Sequence, residues 1–332
     1  MSITLMARGF AISLLLGALQ VLGSAESAPD PQSASQLDQK VLAELDTLLA
    51  SREFDRAEGV LDRLLRGGAD PAAAYFQMGK LYFDHQQWAR SAQHLERSLR
   101  LRDMNDQAHL LLGLDWRELR KPERAEEELA KAAAQNPSSD VDAYFAGHQL
   151  VLDAKYEAAL PYLYRALDLN PKRPEALRAV AIAQAHVGNY GLAESYYRKA
   201  LDAAASSGQA DYADSLDLGY LLLLGHDSAK IREGFKYAQQ AVQLQPASGD
   251  AHYLLGKALV KLGRLREAVP ELRKAEALNP KDSKPHFLLA RIFDRVGQRE
   301  DAKKEREALN AARTRTGRSG IATGSALPGD PE

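Results

Sequence analysis

A period of 34 residues constrains this chain more than any other feature. Gly79, Gly113, Gly147 and Ala181 stand 34 residues apart, and Ala57, Ser91, Ala125, Ala159 and Ala193 keep the same step. Pro137 and Pro171 repeat it, as do Pro246 and Pro280 further on. A unit of that length holds two helices, buries too little apolar surface alone, and becomes stable only by stacking on copies of itself. The period therefore predicts an all-α array with a long surface for a partner, and argues against a compact catalytic domain.

The stretch 106–137 shows how residue chemistry writes the period. Leu111, Leu112, Asp115, Trp116 and Leu119 recur at helical spacing within 108–119. Pro122 marks a turn, because proline fits a helix start but not its interior. Ala125, Leu129 and Ala132 then line one side of a second helix over 123–135, with Glu and Lys opposite. Asn136-Pro137 ends it, since the residue before a proline is pushed out of the helical region. Gly113 and Ala125 are expected at the closest crossing of the two helices, where a larger side chain overpacks by roughly 1–3 kcal/mol.

The same columns return along the chain. Met78-Gly79, Leu112-Gly113, Leu218-Gly219 and Leu255-Gly256 mark first helices; Ala125, Ala159, Ala193, Ala268 and Ala302 mark second helices. Asn136-Pro137, Asn170-Pro171, Gln245-Pro246 and Asn279-Pro280 close the units. In these columns the chain resembles the tetratricopeptide repeat family, through units near 38–71, 72–105, 106–139, 140–173, 174–207, 208–248, 249–282 and 283–312. The resemblance implies a right-handed superhelical solenoid of about eight helix pairs with a C-terminal capping helix. It also implies that first helices line a concave groove for a peptide or helical segment of another protein.

Three departures carry information. Leu45 occupies the glycine slot of the first unit, which lacks most of the apolar signature. Gly219 follows Ala181 by 38 residues and Gly234 follows Gly219 by 15, which assigns four extra residues to 203–211 and three to a loop over 225–233. The last second helix, 300–311, is dense in charge, as an outward-facing cap should be.

Reading the exposed stripe of the first helices gives a gradient. Phe83 and Leu114 stand in a mixed surface; His148, Val151, Leu152, Ile182, Tyr220, Leu223 and Leu224 form an apolar middle; Lys257, Lys261, Lys284, Arg291 and Arg295 form a basic end, opposed by Asp294. An apolar stretch of that length predicts a binding surface, and the basic end predicts an acidic group on the partner. Tyr144, Tyr253 and Phe287 are assigned to packing. The asparagines of a carboxylate clamp or an asparagine ladder are absent from these slots.

No arrangement calls for catalysis, a cofactor or a metal. His109, His252 and His286 recur in one slot, which predicts packing between helices, and successive slots lie too far apart to share ligands. His148 and His186 lie on adjacent first helices without a carboxylate or thiol repeated beside them at ligand spacing. His226-Asp227-Ser228 are consecutive and cannot converge as a triad, and Gly256-Lys257 lacks the upstream glycine of a phosphate loop. A formal charge of −2 gives no basic stripe for nucleic acid.

Arg8, the apolar run 10–22 and Gly23-Ser24-Ala25 form the pattern of a signal peptide over 1–25. The run is shorter than the ~20 residues a membrane span needs, so a cleaved leader leaves no stable span; the competing reading is an uncleaved leader retained as an anchor, and the sequence leaves that choice open. The chain contains no cysteine, hence neither a disulfide nor a lipidated anchor cysteine. The expected product is a periplasmic or secreted bacterial protein: a polar linker at 26–37, the array at 38–312, and a disordered tail at 313–332. The function expected is a non-enzymatic scaffold of the cell envelope. The competing reading is an accessory or assembly subunit working by self-association or through its convex face. The sequence leaves the oligomeric state open.

Overall fold

A computed structural model describes residues 39–206 and 212–317, all of whose regular elements are α-helices. The signal-peptide segment 1–25, the linker 26–37 and the tail beyond residue 317 lie outside the described residues. The chain divides into two compact units, one ending at Gln149 and the other beginning at Leu150.

The first unit contains α1 (Gln39–Ala50), α2 (Phe54–Arg66), α3 (Pro71–Asp84), α4 (Trp88–Leu101), α5 (Asp106–Glu118) and α6 (Pro122–Gln135). The division falls within α7 (Asp140–Leu152). In the second unit follow α8 (Tyr156–Leu169), α9 (Pro174–His186), α10 (Tyr190–Ser206), α11 (Tyr212–Leu222) and α12 (Ser228–Leu244). It ends with α13 (Gly249–Lys261), α14 (Leu265–Leu278), α15 (Lys284–Arg295) and α16 (Arg299–Gly317). Within each unit, consecutive helices pack as antiparallel pairs, α3 on α4 and α5 on α6 in the first, α9 on α10 and α13 on α14 in the second.

Local chemistry sets the starts. Asp70, Asn105 and Ser248 each cap a first helix by accepting from a backbone N–H one turn in, at 3.3, 3.1 and 3.2 Å. Pro71, Pro122, Pro174 and Pro285 sit at helix starts, where their missing N–H costs nothing. The turn inside every pair except α11–α12 uses one left-handed residue in a fixed slot: Arg52, Gln86, Arg120 and Ala154 at φ 56–59°, then Gly188, Gly263 and Gly297 at φ 76–91°. Only the later units announce that slot with a glycine.

The glycine slot works differently from the sequence expectation. A Cβ on Gly113 would lie 2.6 Å from Leu129 Cγ, and one on Gly79 or Gly256 would lie 2.7 or 2.6 Å from Leu95 or Leu272. The hole left by each glycine is therefore filled by a leucine of the second helix, four residues beyond the alanine expected there. In the α11–α12 pair the holes are filled otherwise: Leu254 enters at Gly219, and Leu223 meets Gly234.

Two boundaries need correction. The three residues assigned to a loop over 225–233 lengthen a helix instead, because Asp227 caps at Ser228 by accepting from Ala229 N at 2.7 Å. α12 thus runs for 17 residues, as does α10, which takes up part of the other insertion before residues 207–211, outside the described set. The capping helix also continues past 312 to Gly317, so 313–317 is helix and not tail.

Candidate interaction surface

In the first unit, Phe83 is 4 % exposed and meets Trp88 edge-on at 5.3 Å, and Leu114 is equally buried. His148 is half-buried and stacks on Tyr144 at 5.3 Å. In the second unit Val151 and Tyr220 are buried, Leu223 is 0 % exposed, and Ile182 is half-buried against the core. The expectation that Phe83, Leu114, Val151, Tyr220 and Leu223 offer apolar anchors is therefore corrected. These side chains are interior packing. The cause is visible in the second unit, where α11 packs on α13 and α13 on α15. A stripe that faces inward on an isolated helix pair is covered when the next first helix stacks beside it.

The basic end is different. Arg291 and Arg295 are exposed, and Lys257 and Lys261 are half-buried. Lys257 Nζ lies 5.6 Å from the Tyr220 ring centre, Lys284 Nζ 5.8 Å from that of Tyr253, and the Arg291 guanidinium 5.5 Å from that of Phe287. The rings of Tyr220 and Tyr253 are themselves 6.3 Å apart. Lys261 donates to the Gly225 carbonyl at 2.9 Å. Arg306 of α16 holds Asp294 at 2.7 Å, which neutralises the acid expected to oppose these cations. The structure thus joins the predicted basic stripe to the rings of Tyr253 and Phe287, which the sequence reading left to packing. Of the three contacts only Phe287 with Arg291 is spaced i, i+4 and was open to a sequence reading; Lys257 over Tyr220 and Lys284 over Tyr253 cross between helices.

The histidine slot holds a polar device. Nδ1 of His109, His252 and His286 faces Glu128, Glu271 and Glu305 at 2.6, 2.6 and 2.8 Å, each carboxylate nineteen residues on and one helix away. The packing expectation holds, but the partner glutamates were invisible to short-range spacing. Around His286, Glu276 and Glu305 bring their ligand atoms within 4.8 Å of one another and of the imidazole. Arg273 already lies 2.7 Å from Glu276 and 2.6 Å from Glu305. The guanidinium supplies the positive charge there, so the cluster reads as an ion-pair network. His186 stacks on Tyr156 at 4.1 Å, and burial lowers its pKa. Asp227 of the His226-Asp227-Ser228 sequence is spent on capping α12.

Among the described residues no helix is long and apolar enough to cross a membrane. Paired helices, a fixed turn slot and a cation-lined face define a helical-repeat module of the kind used for protein–protein interaction. Profiles described as tetratricopeptide repeat match residues 76–140, 153–208 and 227–292. The chain belongs to the tetratricopeptide repeat family, whose members are typically interaction modules without enzymatic activity. A comparison with curated proteins found no match.

Among solved structures, pilF of Pseudomonas aeruginosa is similar over 67 % of this chain and 97 % of its own, at 18 % identity and a TM-score of 0.56. The C-terminal part of a tetratricopeptide repeat-containing protein from Cytophaga hutchinsonii is similar over 71 % of this chain and 95 % of its own, at 14 % identity and a TM-score of 0.54. The Cut9–Hcn1 hetero-tetramer of APC/C is similar over 78 % of this chain and 50 % of that one, at 15 % identity and a TM-score of 0.56. These likenesses carry the fold.

Proposed function

We propose that this chain is a non-enzymatic scaffold of the bacterial cell envelope, exported by its leader, that holds a segment of another protein. The grip lies on the first-helix face of the second unit. Lys257, Lys284, Arg291 and Arg295 receive acidic groups of the partner; the buried rings of Tyr220 and Tyr253 hold Lys257 and Lys284 from beneath, and the half-buried Phe287 supplies flat apolar support. The observation that carries this reading is the ladder of cations set over aromatic rings on α11, α13 and α15. Such an arrangement keeps positive charge at fixed positions without a neutralising carboxylate beside Arg291, because Asp294 is held by Arg306. The pattern of residues 1–25 supports the envelope assignment.

Arg291→Glu/Arg295→Glu tests the grip, because both side chains are exposed. After crosslinking in the envelope fraction, wild type should recover a partner whose crosslinked peptide is acidic, and the variant should lose it. Equal recovery by a folded variant would remove the basic face from the interface. Tyr220→Asp or Leu223→Asp would be a poor probe, since both side chains are buried.

A further inference from the structure

We propose that His109 is a proton-dependent lock that fastens the turn leading into α5 to the α5–α6 pair; the same pattern of contacts recurs at His252 in the second unit. His109 Nδ1 lies 2.6 Å from Glu128 Oε2 on α6, and Nε2 lies 3.0 Å from the Asp103 carbonyl oxygen. His252 Nδ1 lies 2.6 Å from Glu271 Oε2, and Nε2 lies 3.0 Å from the Pro246 carbonyl oxygen. In both cases the carbonyl sits six residues before the histidine and the carboxylate nineteen after it.

The argument rests on counting donors. A backbone carbonyl only accepts, and an ionised carboxylate only accepts, whereas a neutral imidazole has a single N–H. With oxygen at both ring nitrogens, a neutral ring satisfies one contact and sets a nitrogen lone pair against an oxygen lone pair at the other. At His109 one further proton on the ring resolves this, donated from Nδ1 across the 2.6 Å contact to the Glu128 carboxylate. His109 is 1 % and His252 5 % exposed, so water does not substitute for the missing donor. The protonated ring therefore ties three segments together: the turn between units, the first helix and the second helix.

The charged groups facing His109 are Glu128 from α6 and the Asp103 carboxylate, 3.4 Å from Nε2, in the turn out of α4. Lys131 of α6 acts through Glu128, at 3.0 Å, and Gln135 also donates to the Asp103 carbonyl at 2.7 Å. Around His252 the corresponding groups are Glu271 and, at 3.0 Å from it, Lys274. Burial by itself disfavours the charged imidazole of His109, but the Glu128 hydrogen bond, the Asp103 carbonyl and both carboxylate charges outweigh it, and its pKa is raised. Because the folded pKa lies above the unfolded one, the contribution is present at low pH and lost as pH rises through the folded value. The lock therefore opens on the alkaline side of an ordinary imidazole, near pH 6.5.

The test is a long-range proton–nitrogen spectrum of the full chain, labelled with ¹⁵N-histidine, recorded from pH 6 to 9 with free histidine in the same buffer. At the pH where free histidine is mostly neutral, His109 should still show two protonated ring nitrogens. Glu128→Gln should lower the titration midpoint of His109 by about one pH unit or more, roughly tenfold in proton affinity. A glutamine can turn its amide N–H toward a neutral ring and satisfy it. Titration of wild-type His109 together with free histidine, or a midpoint unmoved by Glu128→Gln, overturns the proposal. The wild-type spectrum alone decides the first point if the variant fails to fold.

Discussion

Gly59 and Gly113 are both helical glycines, yet replacing each by alanine should have opposite effects. A Cβ at Gly59 meets nothing within 4 Å, so Gly59→Ala should stabilise by roughly 0.5–1 kcal/mol through helix propensity. A Cβ at Gly113 meets Leu129 Cγ at 2.6 Å and its backbone nitrogen at 3.2 Å, so Gly113→Ala should destabilise by about 1–3 kcal/mol. Urea midpoints that move the same way for both would contradict this account. The small-residue column was legible in the sequence, but its partner was not, because the leucine that fills the hole is itself an ordinary core residue. Asp115 shows a second limit of pattern reading: it falls in the apolar series of α5 and is 0 % exposed. Burial, with Glu118 adding to it, pushes its carboxyl up to about 8, and the nearby Ser91 hydroxyl opposes this without completing a hydrogen bond. The folded state keeps a proton that the unfolded chain releases, so stability should fall as pH rises from about 4 to about 8 and level off above. Asp115→Asn should flatten that slope and be the more stable form at pH 8, by calorimetric melting at pH 5 and 8. An unchanged slope would show that Asp115 is ionised in the fold.

At the scale of elements, paired helices were legible wherever a proline, a capping residue and an apolar series agreed. They were misread where an insertion met a polar segment. Gly225 to Glu233 looks like loop because it gathers glycine, histidine, aspartate and serine. Asp227 converts that composition into a helix start by accepting from Ala229 N at 2.7 Å and Lys230 N at 3.4 Å. Glu233, freed from the supposed loop, then pairs with Arg198 of α10 at 2.6 Å. Asp227→Ala should cost about 0.5–2 kcal/mol, and hydrogen exchange should quicken first at 228–231. Uniform exchange across α12 in the variant would mean that the cap does not hold the helix start. The left-handed turn slot teaches the same lesson. It was readable at Gly188, Gly263 and Gly297, and hidden at Arg52, Gln86, Arg120 and Ala154, whose side chains carry no turn signal.

At the scale of the whole molecule, repetition made the fold class readable from sequence, and stacking made the candidate surface hard to read. Whether an apolar residue of a first helix faces a partner or the next unit depends on contacts between helices far apart in the chain, and Leu223 resolves to the interior. Charged residues resist such burial, because leaving water without a partner is costly, and so Arg291 and Arg295 kept their predicted exposure. The most direct measurement places a photo-crosslinking residue at position 291, on the first-helix face, and separately at the exposed Ala277 on α14. The account predicts that position 291 captures an acidic segment of a partner from the envelope fraction and that position 277 does not. Capture from position 277 alone would move the interface to the second-helix surface and contradict the central claim.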